Sequence, residues 1–480
     1  MTNMLDDRPW IQKEAPGKPR VQIGTLSVRR WVAIVALVAV VVGTPLGVSY
    51  VQALTVPGGG ALGARTVDWV RSMGGSRLVA WFENMYYGHN APPAGGAPPA
   101  AMNGGTGTID PSSVDPQATG IPLSPLGKPE AVPAIAQPPL TGEGQWEPVG
   151  RTVGGEAAMY AAFIRPDAVH TSLTAGLVWM DPRVIDLRLV AGSQQPGGSG
   201  WVDQAPLSAD QRRRLLATFN AGFRLPDGWG GYYAGGRTGR PLVDNAASLV
   251  INRDGSATVA RWGRDVTMTA SVYAVRQNLS LILDGGLVTP EVFHNSMRSW
   301  GATLRNEVLV WRSGIGVTRN GALVYAAGPG LSIQSLADIL KHAGAVRAME
   351  LDINSTWVSF ISFKPVMGAD PNSANGSKLL PTMAGDPGRY LGASTRDFFA
   401  VLAKRGSSVT DVSPSAPSAT PSLNPLLTRT PSPYPTLSPS PYATPSVKAT
   451  RSPSFRVSET ASPYPQMHFL DSVKGRGHTF

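Results

Sequence analysis

The sequence predicts an α+β fold: a single mixed-sheet domain outside the cytoplasm, with an N-terminal transmembrane helix and disordered flanks. Three observations predict it. An uncharged apolar run near the N-terminus is long enough to cross a bilayer. Stretches rich in Pro, Gly and Ser lie on both sides of the middle of the chain. Between them, short apolar runs alternate with turn residues, and few stretches have helical spacing.

The predicted transmembrane helix covers residues 31–54. The sequence has no charge between Arg30 and Arg65, and about 20 apolar residues span a bilayer core. Basic residues within 1–30 predict a cytoplasmic tail there and place everything after the helix outside. A cleaved signal peptide is the alternative, because Val51-Gln52-Ala53 has small residues at the spacing that a signal peptidase requires. Both interpretations export the domain.

Three further segments are predicted to flank the domain. Residues 55–90 have an interrupted apolar stripe, typical of an amphipathic membrane-proximal segment. Residues 91–145 form a Pro/Gly-rich linker, and residues 406–480 form a Ser/Thr/Pro-rich disordered tail. Such compositions bury too little apolar surface to offset the loss of chain entropy. The folded domain is therefore predicted at 146–405.

The composition excludes several kinds of chemistry. The sequence has no cysteine, which excludes disulfides, thiolate metal sites and a thiol nucleophile. The net charge is +10, but the basic residues are scattered and no nucleic-acid-binding signature accompanies them, so nucleic acid is not an expected partner. No P-loop, HExxH or GxSxG motif is present, and no cofactor is expected. A Ca²⁺ ion held by Asp and Asn oxygens stays open, without a loop signature that supports it.

Within the domain, turn residues separate apolar runs that are predicted to be strands. Helical spacing occurs at Ser208–Thr218 and at Ser332–Ala343, where Ser332 is the expected N-cap and Gly344 the expected end. Asp254-Gly255 is typical of a hairpin turn. The predicted strands are Gly176–Met180, Val184–Val190, Ala247–Ile251, Ala257–Trp262, Ser280–Leu283, Val308–Trp311 and Ala322–Ala326.

The most informative segment alternates polar and apolar residues with the period of a strand. Glu350, Asp352 and Asn354 are expected on one side and Met349, Leu351 and Ile353 on the other. Two carboxylates and an amide would then line a strand end, followed by Ser355. Neighbouring carboxylates repel, so one pKa is expected to rise unless a cation lies between them. A merely solvated polar face is the alternative interpretation.

Other candidate residues also follow predicted strands. Asp284 ends an apolar run, and Gly285 after it lets backbone approach a ligand closely. Asn220 and Gly222 follow the first predicted helix. Arg312 follows a strand, and its guanidinium group matches phosphate or carboxylate with two hydrogen bonds.

These elements, in this order, resemble the phosphodiester glycosidase family over about residues 150–400. The matching pieces are Asn220–Phe223, Leu249–Ile251 with Asp254-Gly255, Gln277-Asn278, Leu283–Gly286, Arg312–Gly316 with Gly321, and Leu336–Leu340 through Gly344-Ala345 to Ala348–Asp352. The resemblance implies an α+β domain that cleaves the bond between a sugar anomeric carbon and a phosphodiester. It also implies site roles for the residues at its motif positions, which are Asp352, Asp284, Arg312 and Asn220.

On this resemblance, Asp352 is the expected base or nucleophile, and Asp284 or Glu350 its partner. Arg312 would hold phosphate, while sugar hydroxyls or phosphate oxygens would be bound by Asn220, Gly222, Gly285, Asn354 and Ser355. The family usually has Gly-Gly after its Leu-Asp pair, whereas this chain has Ile353-Asn354. Two other functions therefore stay open. One is a catalytically silent domain that binds an envelope glycan or phosphoglycan, and the other is an envelope-assembly scaffold.

Overall fold

The computed structural model describes residues 28–58, 60–75, 78, 79, 82, 85, 92–97, 124–293, 300, 309–366 and 369–410. Most of the predicted cytoplasmic tail 1–30 and most of the predicted Ser/Thr/Pro-rich tail 406–480 lie outside the described residues. The domain predicted at 146–405 is described except for 294–299, 301–308, 367 and 368.

Helices occupy a small part of the described chain. α1 covers the predicted transmembrane residues and is 28 residues long. Among the helices within the described ranges, none combines the length and the apolar character that a membrane crossing needs. The helices are α1 (Val28–Thr55), α2 (Leu62–Val70), which continues into a π-helical turn (Arg71–Gly75), α3 (Ala209–Arg214) and α4 (Ile333–His342), with a 3₁₀ turn at Pro290–Phe293.

Strands are the main regular secondary structure of the domain. Their bounds are β1 Glu147–Pro148, β2 Thr152–Val153, β3 Glu156–Ala157, β4 Met159–Ile164, β5 Ala175–Met180, β6 Ile185–Val190, β7 Leu215–Asn220, β8 Tyr232–Ala234, β9 Arg237–Arg240, β10 Ala247–Asn252 and β11 Ala257–Arg261. They continue with β12 Val272–Gln277, β13 Leu281–Asp284, β14 Leu287–Val288, β15 Val310–Thr318, β16 Leu323–Leu331, β17 Ala345–Glu350, β18 Phe360–Phe363, β19 Gly376–Lys378, β20 Phe398–Ala403 and β21 Val409–Thr410.

The strands form four sheets. The largest has eight strands in the order β1-β4-β5-β16-β15-β17-β13-β14. Two five-stranded sheets have the orders β11-β10-β12-β8-β9 and β19-β18-β7-β20-β6, and β21-β2-β3 form the fourth sheet. The strand pairs within them are antiparallel. The α+β class is confirmed, whereas the single mixed sheet is corrected to several antiparallel ones.

A shared hydrophobic core joins these sheets. It includes Tyr325 and Met349 from the eight-stranded sheet, Leu249 from one five-stranded sheet, and Phe219 and Phe399 from the other. The ring of Phe219 lies 5.4 Å from that of Tyr325 and 5.0 Å from that of Phe399. Such packed aromatic contacts fix the strand ends of two sheets against each other.

The helix predictions are confirmed in one case and corrected in the other. Ser332 caps α4 by accepting a hydrogen bond from the Ser335 amide, and Gly344 follows the helix with a φ of 87°. The predicted helix 208–218 ends early, because α3 stops at Arg214 and β7 begins at the next residue. The apolar run from Leu215 to Phe219 is fully buried in a sheet, where apolar residues on both faces hide the strand period.

Part of the predicted linker 91–145 packs against the domain. Glu143 and Arg165 form a buried ion pair, with 2.8 Å between Oε2 and Nη2. The Leu126 amide donates to Asp181 Oδ2 at 2.6 Å, and the indole N–H of Trp146 donates to the Glu130 carbonyl at 2.8 Å. Residues 124–145 therefore contact both ends of β4 and β5, and their apolar residues pack in the same cluster as Ala162 and Leu177 of these strands.

Candidate functional site

The two predicted carboxylates lie where β17 ends. β17 stops at Glu350, but backbone pairing with β15 continues for two residues: the Leu351 amide donates to the Ser313 carbonyl at 2.7 Å, and the Ser313 amide donates to the Asp352 carbonyl at 2.9 Å. A turn follows, in which Asp352 Oδ1 accepts from the Asn354 amide at 2.9 Å. The strand end thus fixes Glu350 and the turn fixes Asp352.

The predicted alternation of side chains between the two faces of the sheet holds up to Leu351 and is lost at Ile353. Met349 and Leu351 lie in the shared core as expected, whereas Ile353 packs against a different cluster, which includes Leu336 and Leu340. Ile353 changes sides because the chain turns after Asp352, so the strand period no longer applies there. Asn354 and Ser355 are half-buried in the turn, and Asn354 Oδ1 accepts from the Thr356 amide at 2.9 Å.

Glu350 and Arg312 form a fully buried ion pair. Arg312 Nη1 lies 2.5 Å from Glu350 Oε1, and Arg312 Nε donates to the Leu331 carbonyl at 2.9 Å. Burial raises the pKa of Glu350 to about 7, although Arg312 opposes the rise. Glu350 Oε2 and Arg312 Nη2 are buried without a hydrogen-bond partner among the described residues. Each member of this buried ion pair therefore has one polar atom without a hydrogen-bond partner in the described structure.

Asp352 is paired with an arginine that the sequence did not single out. Its Oδ2 lies 3.3 Å from Arg396 Nη2, and the two residues are 4% and 7% exposed. Burial raises the pKa of Asp352 to about 6, while Arg396, the Asn354 amide and Arg71 oppose the rise. A carboxyl with such a pKa is poised to exchange a proton near neutral pH.

Arg396 lies in a recognisable sequence pattern. It belongs to the polar run Ser394–Asp397, directly before the apolar strand β20, and all four residues of this run are buried. The guanidinium carbon lies 4.9 Å from the centre of the Trp357 ring. A buried arginine at a strand end is a candidate site residue by the same reasoning that selected Arg312.

Asn220 and Ser313 form a buried hydrogen-bond network that holds the Asp352 backbone. The Asn220 amide group donates to Ser313 Oγ at 3.0 Å, and its oxygen accepts from the Tyr325 hydroxyl at 2.9 Å and from the Ser359 amide at 3.0 Å. Ser313 Oγ in turn accepts from the Asp352 amide at 3.1 Å and donates to the Asp352 carbonyl at 3.0 Å. In this structure Asn220 therefore positions the Asp352 backbone through Ser313.

Gly222 makes room for a second positioning amide, Asn278. A Cβ atom on Gly222 would lie 2.9 Å from the Asn278 side chain. Asn278 donates to the carbonyls of Glu350 and Leu351, each at 2.9 Å, and accepts from the Phe223 amide at 3.2 Å. Gly222 thus contributes to the site by its lack of a side chain.

Asp284 lies at the opposite end of the sheet from Asp352. β13 runs antiparallel to β17, so its last residue, Asp284, comes beside Arg347, with 3.5 Å between Oδ1 and Nε. Arg264 Nη1 also lies 2.7 Å from Asp284 Oδ2. Five residues of extended chain from Arg347 to Asp352 span about 16 Å. The structure therefore corrects the expected partnership of Asp284 with Asp352 and leaves Glu350 as the neighbouring carboxylate. Gly285, which was expected to bind substrate oxygens, follows Asp284 and lies away from Asp352 with it.

The N-terminal helices reach the same end of the domain. The Gly58 carbonyl accepts from the Thr395 amide and hydroxyl at 3.4 and 3.3 Å, and a Cβ atom on Gly60 would lie 3.5 Å from the Trp357 ring. A cleft of about 150 Å³ lies between α2 and the domain, and Ser72 and Thr395, the sequence neighbours of Arg71 and Arg396, are among its lining residues. The predicted membrane-proximal segment thus forms one wall beside the site.

The described ranges contain no group of three or more His, Asp or Glu side chains placed to hold a metal ion. The carboxylates near Asp352 are instead balanced by guanidinium groups. The arrangement can exchange protons near neutral pH and offers N–H donors to an anion.

Comparisons with known proteins give weak similarities. No family model matches the chain, and no curated protein matches it. Among solved structures, the chain is similar to the catalytic domain of zebrafish N-acetylglucosamine-1-phosphodiester α-N-acetylglucosaminidase, auto-inhibited by its pro-peptide, with 14% identity and a TM-score of 0.35 over 54% of this chain and 89% of that one.

Two bacterial structures are also similar. A hypothetical protein from Synechocystis has 17% identity and a TM-score of 0.28 over 53% of this chain and 64% of that one. An exported protein from Burkholderia pseudomallei has 13% identity and a TM-score of 0.24 over 48% of this chain and 74% of that one. At these levels the similarities carry no argument about activity.

Proposed function

We propose that this protein is a glycosidase that hydrolyses the bond between a sugar anomeric carbon and a phosphodiester. The observation that carries the proposal is the buried Asp352 carboxyl, whose pKa is raised to about 6 and which is held against a guanidinium group. The order of sequence motifs that resembles the phosphodiester glycosidase family supports the same reaction.

In this reaction a water molecule adds its oxygen to the anomeric carbon, and the bond from that carbon to the phosphate oxygen breaks. The bonding electrons leave with the phosphate, and the products are a free sugar and a phosphate monoester. Asp352 accepts the proton of the water, or attacks the anomeric carbon itself before water releases the sugar. A phosphate leaves readily once a cation neutralises its charge, so the reaction places little demand on a general acid.

The neighbouring residues support Asp352 in distinct ways. Glu350 and Arg312 lie close to Asp352 and influence its local electrostatic potential, because both are fully buried and hydrogen-bonded to each other. Ser313 and Asn220 fix its backbone. Asn354 and Ser355 lie in the half-buried turn after Asp352, where we propose that they bind sugar hydroxyls or phosphate oxygens.

The cellular setting is a further part of the proposal. An extracytoplasmic domain anchored through residues 31–54 would meet sugar-1-phosphate bonds in wall polymers, capsules and glycolipid intermediates. Fractionation of cells that produce the full chain tests the anchor. Recovery in the membrane fraction after a high-salt wash supports it, and recovery in the soluble fraction contradicts it.

The test of the activity is release of sugar by the full-length protein from a panel of sugar-1-phosphodiesters. Turnover that is lost in Asp352→Asn and kept in Asp284→Asn supports the proposal. A folded protein that turns over no member of the panel contradicts it. Binding of the same compounds without turnover would instead indicate a silent glycan-binding domain.

A further inference from the structure

Two buried N–H groups, one on Arg396 and one on the Trp357 ring that packs against it, have no acceptor within the described part of the chain. Arg396 Nη1 and Trp357 Nε1 are buried and donate to no atom in the described ranges. Arg396 is 7% exposed and Trp357 is 3% exposed. A buried donor that is left unsatisfied costs about 1–3 kcal/mol, so native proteins keep few of them. Two such donors, one on the guanidinium group that contacts Asp352 and one on the ring packed against that group, point to a ligand that accepts hydrogen bonds.

The rest of the Arg396 side chain is held in place. Nη2 engages Asp352 at 3.3 Å, and the guanidinium plane lies against Trp357. The Ser394 hydroxyl donates to the Arg396 carbonyl at 2.8 Å, and the next residue, Asp397, holds Arg276 in a buried ion pair with 2.6 Å between Oδ2 and Nε. Nη2 thus binds the Asp352 carboxylate, while the N–H groups of Nη1 have no acceptor among the described residues.

Arg312, the arginine expected to hold phosphate, is less suited to that task. It is 0% exposed, its Nε donates to the Leu331 carbonyl, and its Nη1 donates to the Trp300 carbonyl and to Glu350, so that Nη2 alone of its nitrogens lacks an acceptor among the described residues. Arg396 is 7% exposed, and Thr395, the residue before it, lines the cleft of about 150 Å³ beside α2.

We propose that Arg396, with the indole N–H of Trp357, binds the anionic phosphoryl oxygens of the substrate and holds them beside Asp352. The proposal rests on the proposed function for its substrate and assigns the anion-binding task to residues outside the resemblance. Because one guanidinium group contacts both Asp352 and the phosphoryl group, it aligns the base with the bond that breaks.

The test measures inorganic phosphate binding to the full-length protein, by its effect on thermal unfolding and by calorimetry. Phosphate should raise the melting temperature of the wild type. Arg396→Gln should weaken binding by at least about tenfold, since a charge-assisted hydrogen bond and an ion pair are lost. Trp357→Phe keeps the ring, removes the indole N–H and should weaken binding less.

Arg389→Gln is the matched control. Arg389 also lies 5.1 Å from the Trp357 ring, but its Nη1 donates to the Thr356 carbonyl at 2.7 Å and it has no contact with Asp352. This variant should bind phosphate as the wild type does. Arg396→Lys, which keeps the positive charge, is the second variant in case Arg396→Gln fails to fold, and it should show partial binding.

Absence of phosphate binding in the wild type would overturn the proposal, as would unchanged binding in a folded Arg396→Gln protein. Equal loss of binding in the Arg389→Gln control would show that the loss is not specific to Arg396, and this too would overturn it. Phosphate binding that depends on Arg396 in a protein without turnover would overturn the glycosidase activity and leave the anion site standing.

Discussion

The Asp352 carboxylate lies 3.3 Å from the Arg396 guanidinium group, although 44 residues separate them in the chain. One residue follows β17 and the other precedes β20, so the contact joins two different sheets. Asp352 combines a pKa raised by burial with a cation that keeps its ionised form accessible. Asp352 is the base of the proposed reaction, and Arg396 is the group proposed to bind the anion.

The pH dependence of turnover is the first prediction. Asp352, with a pKa raised to about 6, must be ionised to accept a proton or to attack the sugar. We expect kcat/KM to rise through about pH 6 and to be lost in Asp352→Asn. Because Glu350 lies nearby and titrates near 7, the profile reports values that belong to the pair. A flat profile between pH 5 and 8 would contradict this role for Asp352.

Arg71 supplies the second prediction. Its positive charge lowers the pKa of Asp352 against the effect of burial. Arg71→Gln should therefore raise that pKa and move the acidic limb of the pH–rate profile to higher pH, while Arg71→Lys should leave the limb in place. An unchanged limb in Arg71→Gln would show that the N-terminal segment does not contribute its charge to the site.

Ser313 provides the third prediction. Its hydroxyl accepts from the Asp352 amide and donates to the Asp352 carbonyl, so Ser313→Ala leaves both groups and the Asn220 amide short of a partner. We expect a loss of about 1–3 kcal/mol in the free energy of unfolding, together with a lower kcat. Ser332→Ala is the control, because it removes the α4 cap at a cost of about 1 kcal/mol and should spare kcat. Equal kcat in both variants would exclude a positioning role for Ser313.

The fourth prediction concerns stability against pH. Burial raises the pKa of Glu350 from 4.5 to about 7, so the folded state binds its proton more tightly than the unfolded state does. The stabilisation from this proton is fully present below pH 4.5 and is lost as pH rises through 7, a change on the order of 3 kcal/mol. Urea unfolding across this range should show that fall, and Glu350→Gln should reduce it to the part that Asp352 contributes below about pH 6, because the pKa of Asp352 is also raised by burial. A fall of equal size in the variant would assign the effect to other groups.

Asp284 gives the fifth prediction. It lies about 16 Å from Asp352 along β17, beyond the roughly 5–9.5 Å that separates cooperating carboxylates in glycosidases. Asp284→Asn should therefore keep turnover within about twofold of the wild type. Loss of turnover in a folded Asp284→Asn protein would mean that the site includes the far end of β13.

Several elements of the fold could be predicted because helix-capping and turn residues mark their ends in the sequence. Ser332 and Gly344 mark the ends of α4, and Asp254-Gly255 joins β10 to β11 as an antiparallel hairpin. The helix predicted over 208–218 failed at Leu215, since a fully buried strand has no alternation to read. Sheet order could not be predicted, because it depends on contacts between residues distant in the chain.

The candidate site was only partly predictable for the same reason. Glu350, Asp352 and Arg312 come together because β15 and β17 pair directly. Asp284 was expected beside them, but antiparallel pairing of β13 with β17 places it at the other end. Arg396 enters from a separate sheet, and a single sequence carries no signal that connects it to Asp352.

The central claim is cleavage at the anomeric carbon, and hydrolysis of a sugar-1-phosphodiester in ¹⁸O-labelled water tests it most directly. Our account predicts that the label appears in the sugar hydroxyl and is absent from the phosphate monoester, and that Asp352→Asn forms neither product. Label in the phosphate monoester would show that the phosphorus–oxygen bond breaks, and would contradict the account.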